Sequence, residues 1–403
     1  MSAGGPGRTT SLVPLEGDHV TMPSAVFFNV EEGHTVFGRT GMQEYLTGYE
    51  GRLMRSLKSI LGSQLIEEST QIGLKKINFR QIIGLFVEHI KTRAEEQLGF
   101  DLENVVMGRP VRFVDEDDRA DQRAEDELRN IATAQGFKNI VFEYEPLAAA
   151  RDYESTINKE ELVLVFDIGG GTSDFSVVRL SPHKRSGEDR RKDILANAGV
   201  HIGGTNFDQK LSLQTVMYDL GFESGLEGDL IMPNTPYINL STWHLINAMY
   251  TQKSLSHIKS MLPHSQSPEL LERFLHVLET QRGHELVGEV EEAKIALSSS
   301  DKVTRDLSHI EKSWIKTFTG ADLKKAINKD IDKIVDTARQ TVEKGAGLQT
   351  GNIDAIFMTG GSTGLPGFEQ KIAAMFPQAR IQYGDKFSSV AKGLGLAAEE
   401  YYA

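Results

Sequence analysis

The stretch LVLVFDIGGGTSDFSVVRL, residues 162–180, decides how the rest of the chain is read. Five apolar residues lead to Asp167, three glycines follow, and apolar and polar residues alternate again after Asp174. That pattern predicts two antiparallel strands joined by a glycine turn. Gly169, Gly170 and Gly171 remove the side chains that would keep a ligand from the main chain, and successive exposed N–H groups in such a turn make an anion-binding nest. Thr172 adds a hydroxyl donor. Asp167 and Asp174 flank the nest with two negative charges, which repel a bare phosphate. The conflict is resolved by Mg²⁺, an ion held by one or two carboxylates, phosphate oxygens and water. The pattern thus points to a metal–polyphosphate site; taken alone it also fits a structural hairpin with flexible glycines. A Walker loop does not fit, because no lysine follows the glycines, and a dinucleotide-binding turn does not fit, because a strand follows rather than a helix.

Two more glycine turns belong with the first. ILANAGVHIGGTNFDQKL, residues 194–211, reads as a strand, a Gly203-Gly204 turn and a helix opened by Thr205 and Asn206 as caps. AIFMTGGSTGLPGFEQ, residues 355–370, reads as an apolar strand, then Gly360, Gly361 and Ser362, then a helix start containing Pro366. Both set main-chain N–H groups near helix N-termini, where anions are favoured. Three such turns in one chain point to a shared nucleotide site. In ELVGEVEEAKIALSSS, residues 285–300, Glu291, Lys294 and Ser298 are spaced i, i+3 and i+7 and share a helix face able to hold a purine and ribose. By itself that face also reads as solvated, with one Glu–Lys pair.

The composition narrows the function classes. With 403 residues the chain is long enough for two or three domain-sized units. The absence of cysteine excludes disulfides, thiolate zinc sites and cysteine nucleophiles, and fits a cytoplasmic setting. A net charge of −13 argues against nucleic-acid and membrane-surface binding. The N-terminus has no apolar signal core, so secretion is not expected. The one basic cluster, HKRSGEDRRK at 183–192, is interrupted by acids and reads as a solvated loop tip.

Along the chain, strand-like pieces (SAVFFNV, TVFG) and a helical stretch near 50–61 precede a strand–helix–strand–helix order over about 104–154, which recurs over about 354–402. This alternation assigns an α/β class. The two closing helices of those repeats are rich in small residues: Ala148, Ala149 and Ala150 in EPLAAARDYE, and Gly393, Gly395 and Ala397 in SSVAKGLGLAAEEYY. They suit a close crossing where two lobes pivot, or are simply alanine-rich for helix propensity. Residues 211–345 read as largely helical, with 219–303 a helical subdomain set into the second lobe.

The ordered set FDIGGGTSDFSVV, EYEPLAAARDYE, GVHIGGTNFD, EEAKIALSSS and MTGGSTGLPGF resembles the nucleotide-binding domain of DnaK-type heat-shock chaperones, members of the actin-like ATPase superfamily. The helix at 285–300 and the tryptophan-containing insert look most like the truncated YegD-like chaperones. The resemblance implies a two-lobed α/β fold, each lobe with a ribonuclease-H-like mixed sheet flanked by helices. Lobe I would span 1–155, with a smaller subdomain at 34–79, and lobe II 156–403. It implies ATP/ADP and Mg²⁺ as ligands, weak ATP hydrolysis, a cytoplasmic monomer, and a co-chaperone or client protein as partner. Asp167 and Asp174 match the carboxylates that hold the Mg²⁺ hydration shell, and Gly169 to Thr172 match the second phosphate loop. Glu145 matches a hinge carboxylate near the attacking water, and Lys58 in SLKSILG matches a phosphate-contacting lysine. Gly203, Gly204 and Thr205 would line the phosphate side of lobe II. Glu291, Lys294 and Ser298 would face Gly360, Gly361 and Ser362 across the adenosine. Pro110 in GRPVRF matches a proline of inter-lobe signalling. Outside that context Lys58 reads as a surface lysine, Glu145 as a helix-start acid and Pro110 as a strand end.

The chain departs from the family pattern at three places. The first phosphate hairpin, with its aspartate, is expected to be missing, since SAGGPG lacks an apolar strand and an acid. Ile295 stands where the family has an arginine that stacks on adenine. The chain stops at Ala403, with no peptide-binding β-sandwich expected. The missing hairpin implies impaired hydrolysis, or a nucleotide-binding module that signals by lobe closure without turnover. A filament-forming protein or a small-molecule kinase of the same superfamily is the remaining alternative.

Overall fold

The computed structural model describes residues 1–5, 8–55, 57–61, 64–114, 117–182, 190–385 and 388–402. The chain begins with an antiparallel hairpin, β1 (Ser2–Gly5) and β2 (Arg8–Leu12). Next come β3 (Ala25–Asn29), β4 (His34–Phe37), α1 (Gly38–Leu46) and β5 (Gly51–Arg55), whose strands form a sheet in the order β4-β3-β5. A hairpin of β6 (Ser69–Ile72) and β7 (Lys75–Asn78) leads into α2 (Phe79–Leu98), where Asn78 and Gln81 cap each other's backbone N–H groups. β8 (Asn104–Arg109) and β9 (Asn139–Tyr144) pair in parallel through α3 (Asp118–Ala134). One core joins these pieces. Val26 and Phe28 of β3 meet Ile82 and Ile83 of α2, Leu128 and Ile131 of α3, and Leu57, Leu61 and Ile66.

α4 (Glu145–Glu154) carries the chain into the second lobe, through β10 (Glu161–Ile168), β11 (Ser173–Leu180), β12 (Ile194–Val200) and α5 (Gly204–Gln214). An insert follows: the short pair β13 (Gly225–Leu226) and β14 (Leu230–Ile231), then α6 (Thr235–Leu240), α7 (Ile246–Met249), α8 (Gln252–Met261), α9 (Pro268–Glu279) and α10 (Gly283–Ala296). A hairpin of β15 (Lys302–Asp306) and β16 (Ile315–Thr319), then α11 (Gly320–Gln340), return the chain to the sheet. β17 (Ala355–Thr359), α12 (Phe368–Met375), β18 (Arg380–Tyr383) and α13 (Ser389–Tyr402) complete it. The five strands lie in the order β12-β11-β10-β17-β18; β11 runs antiparallel to both β10 and β12, and β10, β17 and β18 are parallel.

The two-residue period of these strands sorts their side chains. Leu164, Phe166, Ile168, Phe175 and Val177 enter a core continuous with the insert, which includes Tyr237, Phe274, Leu286 and Val290. Val163, Val165, Val178 and Leu180 enter the opposite core with Leu147, Ala149 and Ala150 of α4. Asp167 continues the parity of Val163 and Val165, and Asp174 that of Val178, so both carboxylates lie at the open end of the face that α4 covers.

α4 and α13 cross at backbone distance. A Cβ added to Gly393 would lie 1.8 Å from the Ala148 carbonyl oxygen. α13 also carries the first hairpin: the Thr10 N–H donates to Glu399 Oε1 at 2.7 Å, and the Thr10 hydroxyl donates to the same oxygen.

Several expectations change. The stretch near 50–61 is not a helix: all five residues of β5 pair with β3, and a 3₁₀ turn, Leu57–Ile60, follows. Tertiary pairing outweighs the local helical spacing there. SAGG does form a strand, because a polar strand suffices when its partner and the small-residue face of α13 support it; the hairpin of residues 2–12 has no acidic residue. The hairpin at 302–319 was not anticipated within the helical reading of 211–345. Arg190, assigned to a solvated loop, is buried: it forms a two-pronged pair with Glu154 at 2.7 and 2.8 Å and meets Asp193 at 3.0 Å. Residues 183–189 of that loop lie outside the described residues.

Candidate functional site

The first glycine turn closes with the Gly169 N–H donating to the Thr172 carbonyl at 2.9 Å. Across the β10–β11 ladder Asp167 and Asp174 stand directly opposite each other. Like charges directly opposite repel, and a cation bound beside them offsets that repulsion. Thr172 Oγ1 donates to Asp174 Oδ2 at 2.9 Å.

The other two turns lock onto the first. The Gly204 N–H donates to the Gly169 carbonyl at 3.0 Å, and both the N–H and the hydroxyl of Thr205 donate to the Gly170 carbonyl at 2.8 Å. Gly360 has φ of +90°, and a Cβ there would fall 2.3 Å from the Ile168 carbonyl oxygen, so only glycine fits against the first strand's end. The Ser362 N–H donates to Ile168 O at 3.4 Å, and Ser362 Oγ lies 2.9 Å from where a Cβ on Gly204 would be.

The mutual locking changes the expected supply of donors. The N–H groups of Gly204 and Thr205 are spent on the hairpin's carbonyls. The Gly203 N–H donates to Asn206 Oδ1 at 2.9 Å, so Asn206 ties off the residue before the helix and Thr205 serves the hairpin instead of capping. Among the described residues, the N–H groups of Gly170, Gly171 and Thr172 have no acceptor, and these three are what the site presents.

These residues face a cleft of about 1340 Å³ between the lobes. Asp167, Gly170, Gly171, Thr172, Asp174, Thr205, Glu291, Glu145 and Pro110 line it, while Gly169, Gly203, Gly204 and Gly360–Ser362 do not. Arg52, Arg55 and Arg112 line the lobe I side. One wall is therefore acidic and the other basic, an arrangement that suits a polyphosphate bridged to a cation. Lys58 lies in the 3₁₀ turn Leu57–Ile60, and its side chain is outside the described residues.

The helix α10 presents its residues differently from the reading of one shared face. Glu291 lines the cleft. The buried ammonium of Lys294 is 2.7 Å from Asp208 Oδ1 and donates to the Gly204 carbonyl at 3.2 Å. It therefore holds α10 to the second turn. Burial pushes the Asp208 carboxyl up to about 6, against the opposing pull of Lys294. α10 ends at Ala296, so Ser298 lies beyond it, its hydroxyl turned back to the Ile295 carbonyl at 2.6 Å. Ile295 is 53% exposed.

The residues present fit a hydrated Mg²⁺. Among the described residues no group of three or more histidine and acidic side chains forms a cage that would strip the ion of water. Two opposed carboxylates beside three unpartnered N–H groups match an ion that keeps its water and shares phosphate oxygens.

A contact not read from the sequence closes the cleft's mouth. Asn247 Nδ2 of α7 donates to the Tyr45 hydroxyl of α1, and the Tyr45 ring lies 5.7 Å from Trp243 and 5.6 Å from His284. The Arg55 guanidinium sits 4.4 Å from the centre of the Trp243 ring. Asp208 was signalled only by its place four residues after Gly204; Trp243 had no local signal.

Burial lowers the His284 pKa to about 4, with the nearby Arg55 cation acting in the same direction. The unfolded chain takes up that proton near pH 6.5, so stability falls as pH drops from 6.5 toward 4. At pH 5 the loss is about 2 kcal/mol. His284→Gln is expected to reduce the stability difference between pH 7 and pH 5 by about that amount in denaturant titrations. An unchanged pH dependence would show that His284 is not held neutral.

A sheet ordered β12-β11-β10-β17-β18, with its glycine turns opening into a cleft between two lobes that meet at crossed helices, defines an actin-like ATPase fold. Within that class the chain belongs to the Hsp70 family: the family described as Hsp70 protein matches residues 12–226 and 278–399. The stretch between those segments covers most of the helical insert, including Trp243. Chaperone protein DnaK of Thermotoga petrophila and of Thermotoga maritima are each 31% identical over 209 residues, 51% of this chain and 32% of the relative. Chaperone protein DnaK of Thermosipho melanesiensis is 29% identical over 207 residues, with the same coverage. The match thus spans about a third of the length of these relatives. Among the described residues no helix is long and apolar enough to cross a membrane.

Proposed function

We propose that the inter-lobe cleft binds ATP and ADP with Mg²⁺ and that the chain hydrolyses ATP slowly, as a chaperone-related protein of the cytoplasm. The observation that carries this reading is the opposed pair Asp167 and Asp174 beside the unpartnered N–H groups of Gly170, Gly171 and Thr172. Those N–H groups donate to phosphate oxygens, and Thr172 holds the Asp174 carboxylate in place. Mg²⁺, held through water by Asp167 and Asp174, supplies positive charge to the phosphate oxygens. Glu145, at the start of α4, and Asp167 orient a water for in-line attack. Arg52 lines the cleft from lobe I, and Glu291 holds the ribose side. Slowness follows from the first hairpin, which has no carboxylate to add to the pair.

A second reading, a nucleotide-binding module that signals lobe closure to a co-chaperone or client protein without turnover, is favoured by the acid-free hairpin and by the Tyr45–Asn247 contact between lobes. Calorimetric titration with ATP and ADP, with and without Mg²⁺, alongside a phosphate-release assay, tests both. Binding with release supports hydrolysis, and binding without release supports the module. Absence of affinity for either nucleotide overturns both.

A further inference from the structure

We infer that Gly199 is a positioning residue for the Asp174 carboxylate and so sets the gap in which a cation binds; this rests on the reading of the cleft proposed above. Gly199 lies inside strand β12, where glycine weakens a ladder and offers nothing to pack. It has no positive φ, so no turn or left-handed conformation calls for it.

What the position requires is empty space. Gly199 is directly opposite Asp174, and a Cβ there would fall 2.7 Å from Asp174 Oδ1 and 3.6 Å from its carboxyl carbon. The carboxylate already occupies the volume of any side chain at 199. Its other oxygen accepts from the Thr172 hydroxyl at 2.9 Å. The carboxylate is thus fixed at one end by Thr172 and laid across Gly199 at the other.

The neighbouring rung of the same face supplies a contrast. There the row runs Val165, Ser176, Asn197, and the Ser176 hydroxyl donates to Asn197 Oδ1 at 2.8 Å. In the row Asp167, Asp174, Gly199 the third side chain is missing. Asp174 can then lean over β12, away from the Asp167 carboxylate on β10. That lean separates two like charges and leaves room for a hydrated ion between them.

Gly199→Ala returns the carboxylate toward Asp167. Little stability should be lost, because the displaced atom is the far end of a side chain rather than backbone and alanine suits a strand better than glycine. The affinity gained from magnesium should fall about tenfold, as for other residues that orient an ion's holders. The test is calorimetric ADP binding, in Mg²⁺ and in EDTA, for wild type, Gly199→Ala, Asp174→Ala and the double variant, with thermal unfolding of each nucleotide-free protein.

The expected result is loss in Mg²⁺ only, wild-type affinity in EDTA, and a double variant equal to Asp174→Ala, since the alanine then has no carboxylate to move. Three outcomes overturn the assignment while leaving the cleft's reading intact: unchanged magnesium dependence in Gly199→Ala, equal loss with and without magnesium, or a loss that adds to that of Asp174→Ala. A wild-type protein that gains no affinity from magnesium overturns the cleft's reading and this assignment with it.

Discussion

Gly393→Ala is expected to destabilise the protein by about 3 kcal/mol, the upper part of the usual range for overpacking. The added methyl would sit 1.8 Å from the Ala148 carbonyl oxygen. A side chain could rotate away, but a backbone carbonyl within α4 cannot move without the helix. The crossing would therefore have to widen, disturbing α4 against Val163, Val165 and Val178 of the sheet. Gly395→Ala is the control. Its methyl would meet the Ser2 hydroxyl and a Thr10 methyl, both at 2.3 Å, in a two-stranded hairpin that can lift. Its cost should stay near 1 kcal/mol. Denaturant titration of both variants checks the pair; a wild-type midpoint for Gly393→Ala would mean that the helices do not cross at backbone distance.

Asp167→Asn is expected to lower magnesium-dependent phosphate release about 100-fold, on the scale of losing one preorganised electrostatic group. Thermal unfolding of the nucleotide-free variant checks that the fold is kept. Equal phosphate release by variant and wild type would defeat the proposed hydrolytic role of Asp167, whatever the melting data show.

The elements that were legible in the sequence are those whose signal is local. The strand ending at Asp167, the turn Gly169–Gly171 and the helix opening at Gly204 each carry their apolar run, glycines or helix-start residues within a few positions. The convergence of the three turns was also legible, because each pairs a strand end with bare main chain. What escaped depends on distant partners. β5 looks helical until Ala25–Asn29 is available to pair with it. The polar strands Lys302–Asp306 and Ile315–Thr319 have no apolar alternation on which to base a strand reading. Lys294 pairs with Asp208, eighty-six positions earlier on the helix α5, a partner that no local pattern signals. Thr205 looked like a cap because the Gly170 carbonyl that takes both its donors is thirty-five residues earlier.

The chain has two tryptophans, and the fold places them in contrasting surroundings. Trp314 is packed in the second lobe, its indole N–H donating to Asp219 at 3.1 Å. Trp243 stands at the mouth, touched from the other lobe by Arg55 and Tyr45. Parting of the lobes would exchange a guanidinium and a phenol at the mouth indole for water while the other kept its neighbours. An opening cleft would thus carry an optical gauge of its own aperture together with an internal reference, readable by intrinsic emission without a dye or a fused label.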